Sequence, residues 1–425
     1  MKFIVKPSRI SGEVNVPGSK SHTIRALVLA LLADGESVIR EPLESADTHS
    51  CFNMVKKFGA EIYTEKNVWR VKGRAGEIAV PDDIVDVGNS GTSLYIGLGI
   101  ASLADGYTVF TGDSQIRNRP VNALLTSIPE LGGMACSTRN NNKPPVVVKG
   151  RIKGGKTSVE AVTSQYLSSL LIACPLASGN TTIHVPLLNE VPYIDMTLKW
   201  MDKLGIKYHN NNYRTFEIKG NQKYNNFDEH IPADFSSAAF FLVAAAITGT
   251  ELTLHGLDFN DTQGDKEVVN ILKSMGAETE IGKSSITIKG NMLKGGTFDL
   301  NAIPDSLPSL AVAGCFAQGE TRLVNVAQAR VKETDRIKVM CSELKKMGAD
   351  IEELPDGLVI KKSSLKGAQV NGHNDHRVVM SLAVAGLMAD GQTEIDTAES
   401  AAVTFPEFFY LMKSAGADIK MIGDE

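Results

Sequence analysis

Several segments of this chain gather charged, hydroxyl-bearing or glycine residues directly in front of an apolar run. Pro17-Gly18-Ser19-Lys20-Ser21-His22-Thr23-Ile24-Arg25 is a glycine turn with a lysine and hydroxyls, and Arg25 lies one helical turn further in. Small residues let backbone N–H groups approach an anion, and the lysine adds charge. The same residues also make an ordinary serine cap beside a solvated lysine, and the first glycine of a nucleotide P-loop is missing. Gly88-Asn89-Ser90-Gly91-Thr92 is a second glycine-rich lead into an apolar run, open to the same two readings. Arg117-Asn118-Arg119-Pro120 sets two arginines at a helix start, with proline where an early helical turn allows it. Paired guanidiniums there suit a phosphate or carboxylate. Thr163-Ser164-Gln165 offers uncharged donors and acceptors, for the hydroxyls of a sugar-like ring or for capping alone. Tyr193 and Asp195 begin the next helix, where packing and capping are the plain roles.

The acids and bases concentrate in the second half. Asp234 reads as a helix cap. Asp305 follows Pro304 in a register that other segments fill with polar groups, which suits a catalytic carboxylate as well as a cap. Arg330-Val331-Lys332-Glu333-Thr334-Asp335-Arg336 carries five charged side chains in seven residues. A solvated turn usually explains such a run, but this one opens a helix as Arg117–Arg119 does, which favours function. Asn374-Asp375-His376-Arg377 opens another, and a histidine between Asp and Arg is either a proton-transfer group or structural. Histidines and cysteines lack the paired spacings of zinc sites, so neither metal nor cofactor is expected.

The elements that must position these groups repeat. Small residue-Gly or Asp-Gly turns end apolar stretches at Gly35, Gly106, Gly179, Gly249, Gly319 and Gly391, spaced 71, 73, 70, 70 and 72 residues apart. The chain therefore reads as one unit repeated six times. Fourteen residues before each glycine stand Ser21, Thr92, Gln165, Phe235, Asp305 and Arg377, five of them polar. Helices starting there aim free N–H groups and positive dipole ends at whatever lies before them. Gly59, Gly132, Gly205, Gly276, Gly348 and Gly416 keep the same period and end a second helix in each unit. Alternating runs such as Tyr107-Thr108-Val109-Phe110 and Trp69-Arg70-Val71 supply strands, giving a βαβαββ unit. The first helix of each unit is apolar nearly all round, as in Phe240–Ile247, and must be buried on every side. Its partner, such as Ile337–Lys346, can lie on a sheet with one face wet, so helices inside and sheets outside is the economical α/β arrangement.

At 425 residues, 43% hydrophobic and 22% charged, the chain is long enough for two cores of three repeats each. The polar segment Lys219–Asp228 reads as a linker between them. A net charge of −5 argues against nucleic-acid or membrane binding, so any anion site is local. No apolar run spans a bilayer. Five scattered cysteines and a start without a secretory pattern point to the cytoplasm.

Taken together and in order, Pro17–Arg25, Gly88–Thr92, Arg119-Pro120, Ser164-Gln165, Pro304-Asp305, Arg330–Arg336 and Asn374–Arg377 resemble the 5-enolpyruvylshikimate-3-phosphate synthase family of enolpyruvyl transferases, over essentially the whole chain. The resemblance implies a two-domain inside-out α/β barrel, residues 15–227 forming one domain and residues 1–14 with 228–425 the other, and a site in a cleft that closes on substrate. It implies a monomer acting on shikimate 3-phosphate and phosphoenolpyruvate in the chorismate pathway, a target of the inhibitor glyphosate. It assigns Ser21, Arg25, Thr163, Ser164 and Tyr193 to shikimate 3-phosphate. Lys20, Gly91, Arg119, Gln165, Arg336 and Arg377 go to phosphoenolpyruvate, the last two to its carboxylate, while Asn89 and Thr92 belong to the same binding loop as Gly91. Asp305 matches the group that takes the 5-hydroxyl proton and Glu333 the acid that protonates the methylene, with Lys20 among the catalytic set and Lys332 and His376 shaping the charge around them.

The chain departs from many members at Tyr95 (arginine there), Glu190 (serine), Gln328 (asparagine) and Val403 (lysine). The related transferases that act on UDP-N-acetylglucosamine have an Asn after the first-loop lysine and a Cys beside an Arg in a mobile loop; here Ser21-His22 follows Lys20. A non-catalytic repeat scaffold that binds a phosphorylated ligand is the other alternative, and it needs no acids at Asp305 and Glu333.

Overall fold

The computed structural model describes residues 1–423, which form two compact units: Gly18–Ile231, and Met1–Pro17 together with the chain from Pro232. Among the described residues six four-stranded sheets share one strand order. In each, the strand that follows an apolar helix pairs in parallel with one neighbour and antiparallel with the other, which in turn pairs antiparallel with the edge strand. Asp228–His230, Glu36–Arg40, Val68–Lys72 and Glu61–Glu65 make one such sheet. Gly12–Asn15, Glu251–His255, Ser285–Lys289 and Glu278–Ile281 make another.

Three of these sheets take a strand from far away in sequence, and this defines the units. Lys2–Lys6 lies between Thr393–Ile395 and Asp418–Ile422, and Gly12–Asn15 pairs with Glu251–His255. The first seventeen residues therefore complete sheets of the second half. Conversely Asp228–His230 pairs with Glu36–Arg40 in the first half, so the division falls at Pro17/Gly18 and Ile231/Pro232 rather than after residues 14 and 227.

Lys219–Asp228 is not a linker. Tyr224-Asn225 pairs in parallel with Ala33-Asp34, and the fully buried Tyr224 hydroxyl donates to the Ile172 carbonyl at 2.8 Å. Phe227 packs edge-on against Trp200, with ring centroids 5.2 Å apart. The surrounding polar letters hide two aromatic anchors, and backbone pairing does the rest.

The helices Lys20–Leu32, Gly91–Ala101 and Ser164–Ala173 fill the core of the first unit, and Phe235–Thr248, Leu307–Phe316 and His376–Gly386 that of the second. Every residue of Phe235–Thr248 is buried, as its lack of charge requires. Each large apolar side chain so enclosed contributes roughly 1.5–3 kcal/mol relative to exposure. Second helices wet one face: in Glu267–Met275 the buried set is Val268, Val269, Ile271, Leu272 and Met275, a stripe of 3.6-residue period. Gly276 then stops that helix with φ 115°, and its N–H meets the Leu272 and Lys273 carbonyls. A left-handed residue also follows the first strand in five of the repeats, at Glu41, Glu190, Gly256, Asn325 and Thr397.

Candidate active site

In the unit Gly18–Ile231 the groups expected to bind anions stand at three helix starts. Ser19 precedes the helix Lys20–Leu32 without a side-chain cap bond, leaving the first N–H groups of that helix uncovered by its own cap residue. Lys20 and Ser21 form its first turn, and Lys20 Nζ lies 3.4 Å from the buried Asp47 carboxylate. Arg25, one turn on, is buried. Its Nε donates to Thr197 Oγ1 at 2.9 Å, and its Nη atoms donate to the Ser21 and Tyr193 carbonyls at 3.1 Å each and to Ser168 Oγ at 3.4 Å. All four acceptors are neutral, and burial lowers its pKa to about 10. A buried cation held only by neutral oxygens is poised for an anion. Tyr193 takes part through its carbonyl, with its ring half-buried against the core.

At the second helix start, Ser90 caps Gly91–Ala101 by accepting from the Ser93 N–H. Gly91 is pressed against Arg119: a Cβ there would lie 3.2 Å from Nη1 and 3.4 Å from Cζ. Thr92 is buried in the same turn, while Asn89 donates to Asp113 at 2.6 Å and to Gln115 at 2.5 Å, which ties this loop to the strand exit that leads to Arg119. Tyr166 fixes the arginine's neighbour, donating to the Pro120 carbonyl at 2.7 Å. Tyr95, noted above as a departure, is a buried core aromatic that packs edge-on against Tyr166 at 5.0 Å. At the third start, Thr163 caps Ser164–Ala173, and both Thr163 and Ser164 are bonded to Glu190; Gln165 is half-buried beside them.

The other unit holds a denser cluster. Arg336, the first residue of the helix Arg336–Lys346, is buried and makes four hydrogen bonds to three carboxylates. Its Nε donates to Asp375 at 2.8 Å, Nη1 to Asp305 at 2.8 Å, and Nη2 to Asp375 at 3.3 Å and to Glu333. Burial works against its charge, yet Asp375, Glu333 and Asp305 together raise its pKa above the ordinary arginine value. Arg377 Nη2 lies 3.0 Å from the second Asp305 oxygen, so Asp305 bridges two arginines. Asp375 is fully buried and caps His376–Gly386 through the Arg377 N–H at 2.9 Å, with Thr334 donating to it as well. Burial pushes its carboxyl up, but the Arg336 guanidinium prevails and holds it below the usual range. Lys332 is half-exposed just before this helix.

His376 departs from expectation. It is buried, burial pushes its imidazole down to about 3, and neither ring nitrogen has a hydrogen-bond partner among the described residues. At neutral pH it lends no positive charge. Arg330 faces outward to Asp335 and Glu353 at 2.7 and 2.8 Å, away from the Arg336 cluster's carboxylates. Asp234 is the expected cap, accepting from the Ser236 N–H at 3.2 Å. Gln328 donates to the Asn301 carbonyl at 3.0 Å, and Val403 ends the 3₁₀ segment Ala398–Val403.

Asp47, Ser168, Thr197 and Glu343 carry positioning roles that no local pattern announces. Glu343 is buried and accepts from Lys346, the Asn371 N–H at 2.8 Å and His373 at 3.0 Å, which anchors the loop leading to Asp375. The only sequence trace of the Arg25 clamp is spacing: Ser164/Ser168 and Tyr193/Thr197 are four-residue pairs on one helix face.

The family model described as EPSP synthase (3-phosphoshikimate 1-carboxyvinyltransferase) matches residues 4–412. The 3-phosphoshikimate 1-carboxyvinyltransferase of Acetivibrio thermocellus is 57% identical over 99% of both chains, and that of Methanosarcina acetivorans 45% identical over the whole of both. An EPSP synthase structure from Acinetobacter baumannii superposes with a TM-score of 0.83 at 30% identity, covering 99% of each chain. A match of that extent, on a two-unit α/β fold that sets arginines, lysine and carboxylates at its helix starts, leaves one conclusion: the chain belongs to the EPSP synthase (3-phosphoshikimate 1-carboxyvinyltransferase) family.

Proposed function

We propose that this protein transfers the enolpyruvyl group of phosphoenolpyruvate to the 5-hydroxyl of shikimate 3-phosphate, releasing phosphate, and that it does so as a cytoplasmic monomer with the inside-out barrel architecture of its family. The observation that carries the mechanism is Asp305, held between Arg336 and Arg377 at 2.8 and 3.0 Å. Two cations keep that carboxylate ionised, as a general base must be.

Arg25, Ser21, Thr163, Ser164 and Tyr193 take shikimate 3-phosphate, with the Arg25 charge meeting its anion. Lys20, Asn89, Gly91, Thr92, Arg119 and Gln165 take phosphoenolpyruvate together with Arg336 and Arg377. Asp305 removes the 5-hydroxyl proton as the oxygen adds to C2 of phosphoenolpyruvate, and Glu333 delivers a proton to the methylene. The resulting tetrahedral intermediate loses phosphate and a methyl proton to give the enol ether. Lys332 stabilises the charge that develops.

The saturation of Arg336 by internal carboxylates adds a coupling. A substrate carboxylate that claims Arg336 takes the place of Glu333 and Asp305 on it. Binding thus frees base and acid together. Phosphate release from phosphoenolpyruvate, measured with and without shikimate 3-phosphate, tests the reading. Release that requires both substrates, and that falls about 10²–10⁴-fold in Asp305→Asn, is expected. A wild-type protein that releases no phosphate would remove the function; an unimpaired variant would remove the base.

A further inference from the structure

Glu190 is a buried acid in the first unit, and its surroundings give it a task. The side chain is 1% exposed. Its Oε2 receives three hydrogen bonds, from Thr163 Oγ1 at 3.2 Å, the Ser164 N–H at 3.0 Å and Ser164 Oγ at 2.7 Å. A backbone N–H at a helix start and two hydroxyls converging on one anionic oxygen is how a phosphate oxygen would be held. The donors are the ones proposed above to take the phosphorylated substrate, so the inference rests on that reading.

The backbone does not call for glutamate. The left-handed φ of 59° at Glu190 recurs after the first strand of other repeats, where glycine serves at Gly256 and asparagine at Asn325. Those residues adopt it with least strain. A long acid in that place is explained by its carboxylate. Three residues on, the Tyr193 carbonyl holds Arg25, whose hydrogen bonds go to neutral oxygens while its own charge stays unclaimed. The pocket thus carries both an anion and a cation that are not paired with each other through a hydrogen bond.

We propose that Glu190 is a resident anion that occupies the phosphate-oxygen position on Thr163 and Ser164 and is displaced by the phosphate of the substrate. It is a specificity-determining residue. A tethered carboxylate competes at high effective concentration, so small anions such as inorganic phosphate are kept off these donors. Shikimate 3-phosphate, with further contacts to its ring, can displace it.

Calorimetric titration of shikimate 3-phosphate into wild type, Glu190→Gln and Glu190→Ser tests this, together with KM for each substrate and competition by inorganic phosphate. Removing the like charge is expected to tighten shikimate 3-phosphate binding about tenfold and lower its KM in step, with KM for phosphoenolpyruvate within about twofold. Inorganic phosphate should become a stronger competitor in both variants. Binding that is unchanged or weaker in Glu190→Gln overturns the proposal, because that variant keeps the size and an acceptor oxygen. If Glu190→Ser fails to fold, Glu190→Gln decides alone. A wild type that binds no shikimate 3-phosphate and releases no phosphate would instead count against the function itself.

Discussion

The two arginine sites show how differently one side chain can be kept charged in a protein interior. Arg336 is surrounded by acids, while Arg25 keeps its proton on hydroxyls and carbonyls alone. Lysine cannot reproduce that four-bond fork. Arg25→Lys should therefore raise KM for shikimate 3-phosphate about 10–100-fold, the worth of a lost charge-assisted contact, with steady-state kinetics as the check. His376 predicts an acid weakness. An unfolded histidine binds its proton near 6.5, His376 only near 3, so between those values the unfolded chain holds more protons and stability falls as pH drops. Asp375 acts in the same direction lower down: its folded pKa lies below 3.8, and the stability from its ion pair, present above that value, is lost as pH falls through the folded pKa. Melting curves from pH 7 to 4 should show the wild type losing up to about 1.4 kcal/mol per pH unit from this histidine, and His376→Asn should flatten that slope. Asp305, Arg336 and Arg377 were legible in the sequence because charge gathered before an apolar run is conspicuous. Glu190 was visible only as a departure, and Asp47 not at all, since their meaning depends on partners that the fold supplies. The Arg25–Thr197 bond spans 172 positions, and no spacing rule reaches that far.

Elements were easier to read than contacts. The second glycine series, Gly59 to Gly416, places helix ends correctly because all six adopt the left-handed stop, whereas in the first series only Gly249 caps its helix and Gly106 and Gly179 are not left-handed; the apolar helices are recognisable because complete burial forbids charge. Short edge strands were the blind spot: Tyr224-Asn225 and Asp228–His230 lack the alternating apolar pattern, and the partners of the side chains that help hold them, Ile172 for Tyr224 and Arg40 for Asp228, lie far away in sequence. At the start of Gly91–Ala101 packing and propensity pull in opposite directions. Alanine favours a helix by roughly 0.5–1 kcal/mol over glycine, yet a Cβ at Gly91 forces the Arg119 guanidinium to yield by a few tenths of an ångström. Gly91→Ala should leave the melting temperature equal or higher while raising KM for phosphoenolpyruvate several-fold, and it should weaken inhibition by glyphosate if that compound uses the same space. Parallel melting and kinetic measurements separate the two effects.

The whole molecule is divided unevenly along its sequence. The unit Gly18–Ile231 is one continuous stretch that pairs all its own strands, whereas the other needs both ends of the chain. Expressed alone, residues 18–231 should unfold cooperatively in denaturant. Residues 232–425 should not, because Lys2–Lys6 is missing between two strands and Gly12–Asn15 from a sheet edge; adding a peptide of residues 1–17 should restore the transition, followed by circular dichroism. The same strand exchange sets an order of events on the ribosome. Lys2–Lys6 is synthesised ahead of the whole continuous unit yet is among the last strands to find its place, since it has no neighbours until Thr393–Ile395 and Asp418–Ile422 have emerged. The continuous unit can close soon after residue 231 appears. Through most of translation the nascent chain therefore carries an unpaired leading segment rich in Phe3, Ile4 and Val5, so its exposure lasts about as long as synthesis itself, and slower translation lengthens the time it must be kept from the wrong partner.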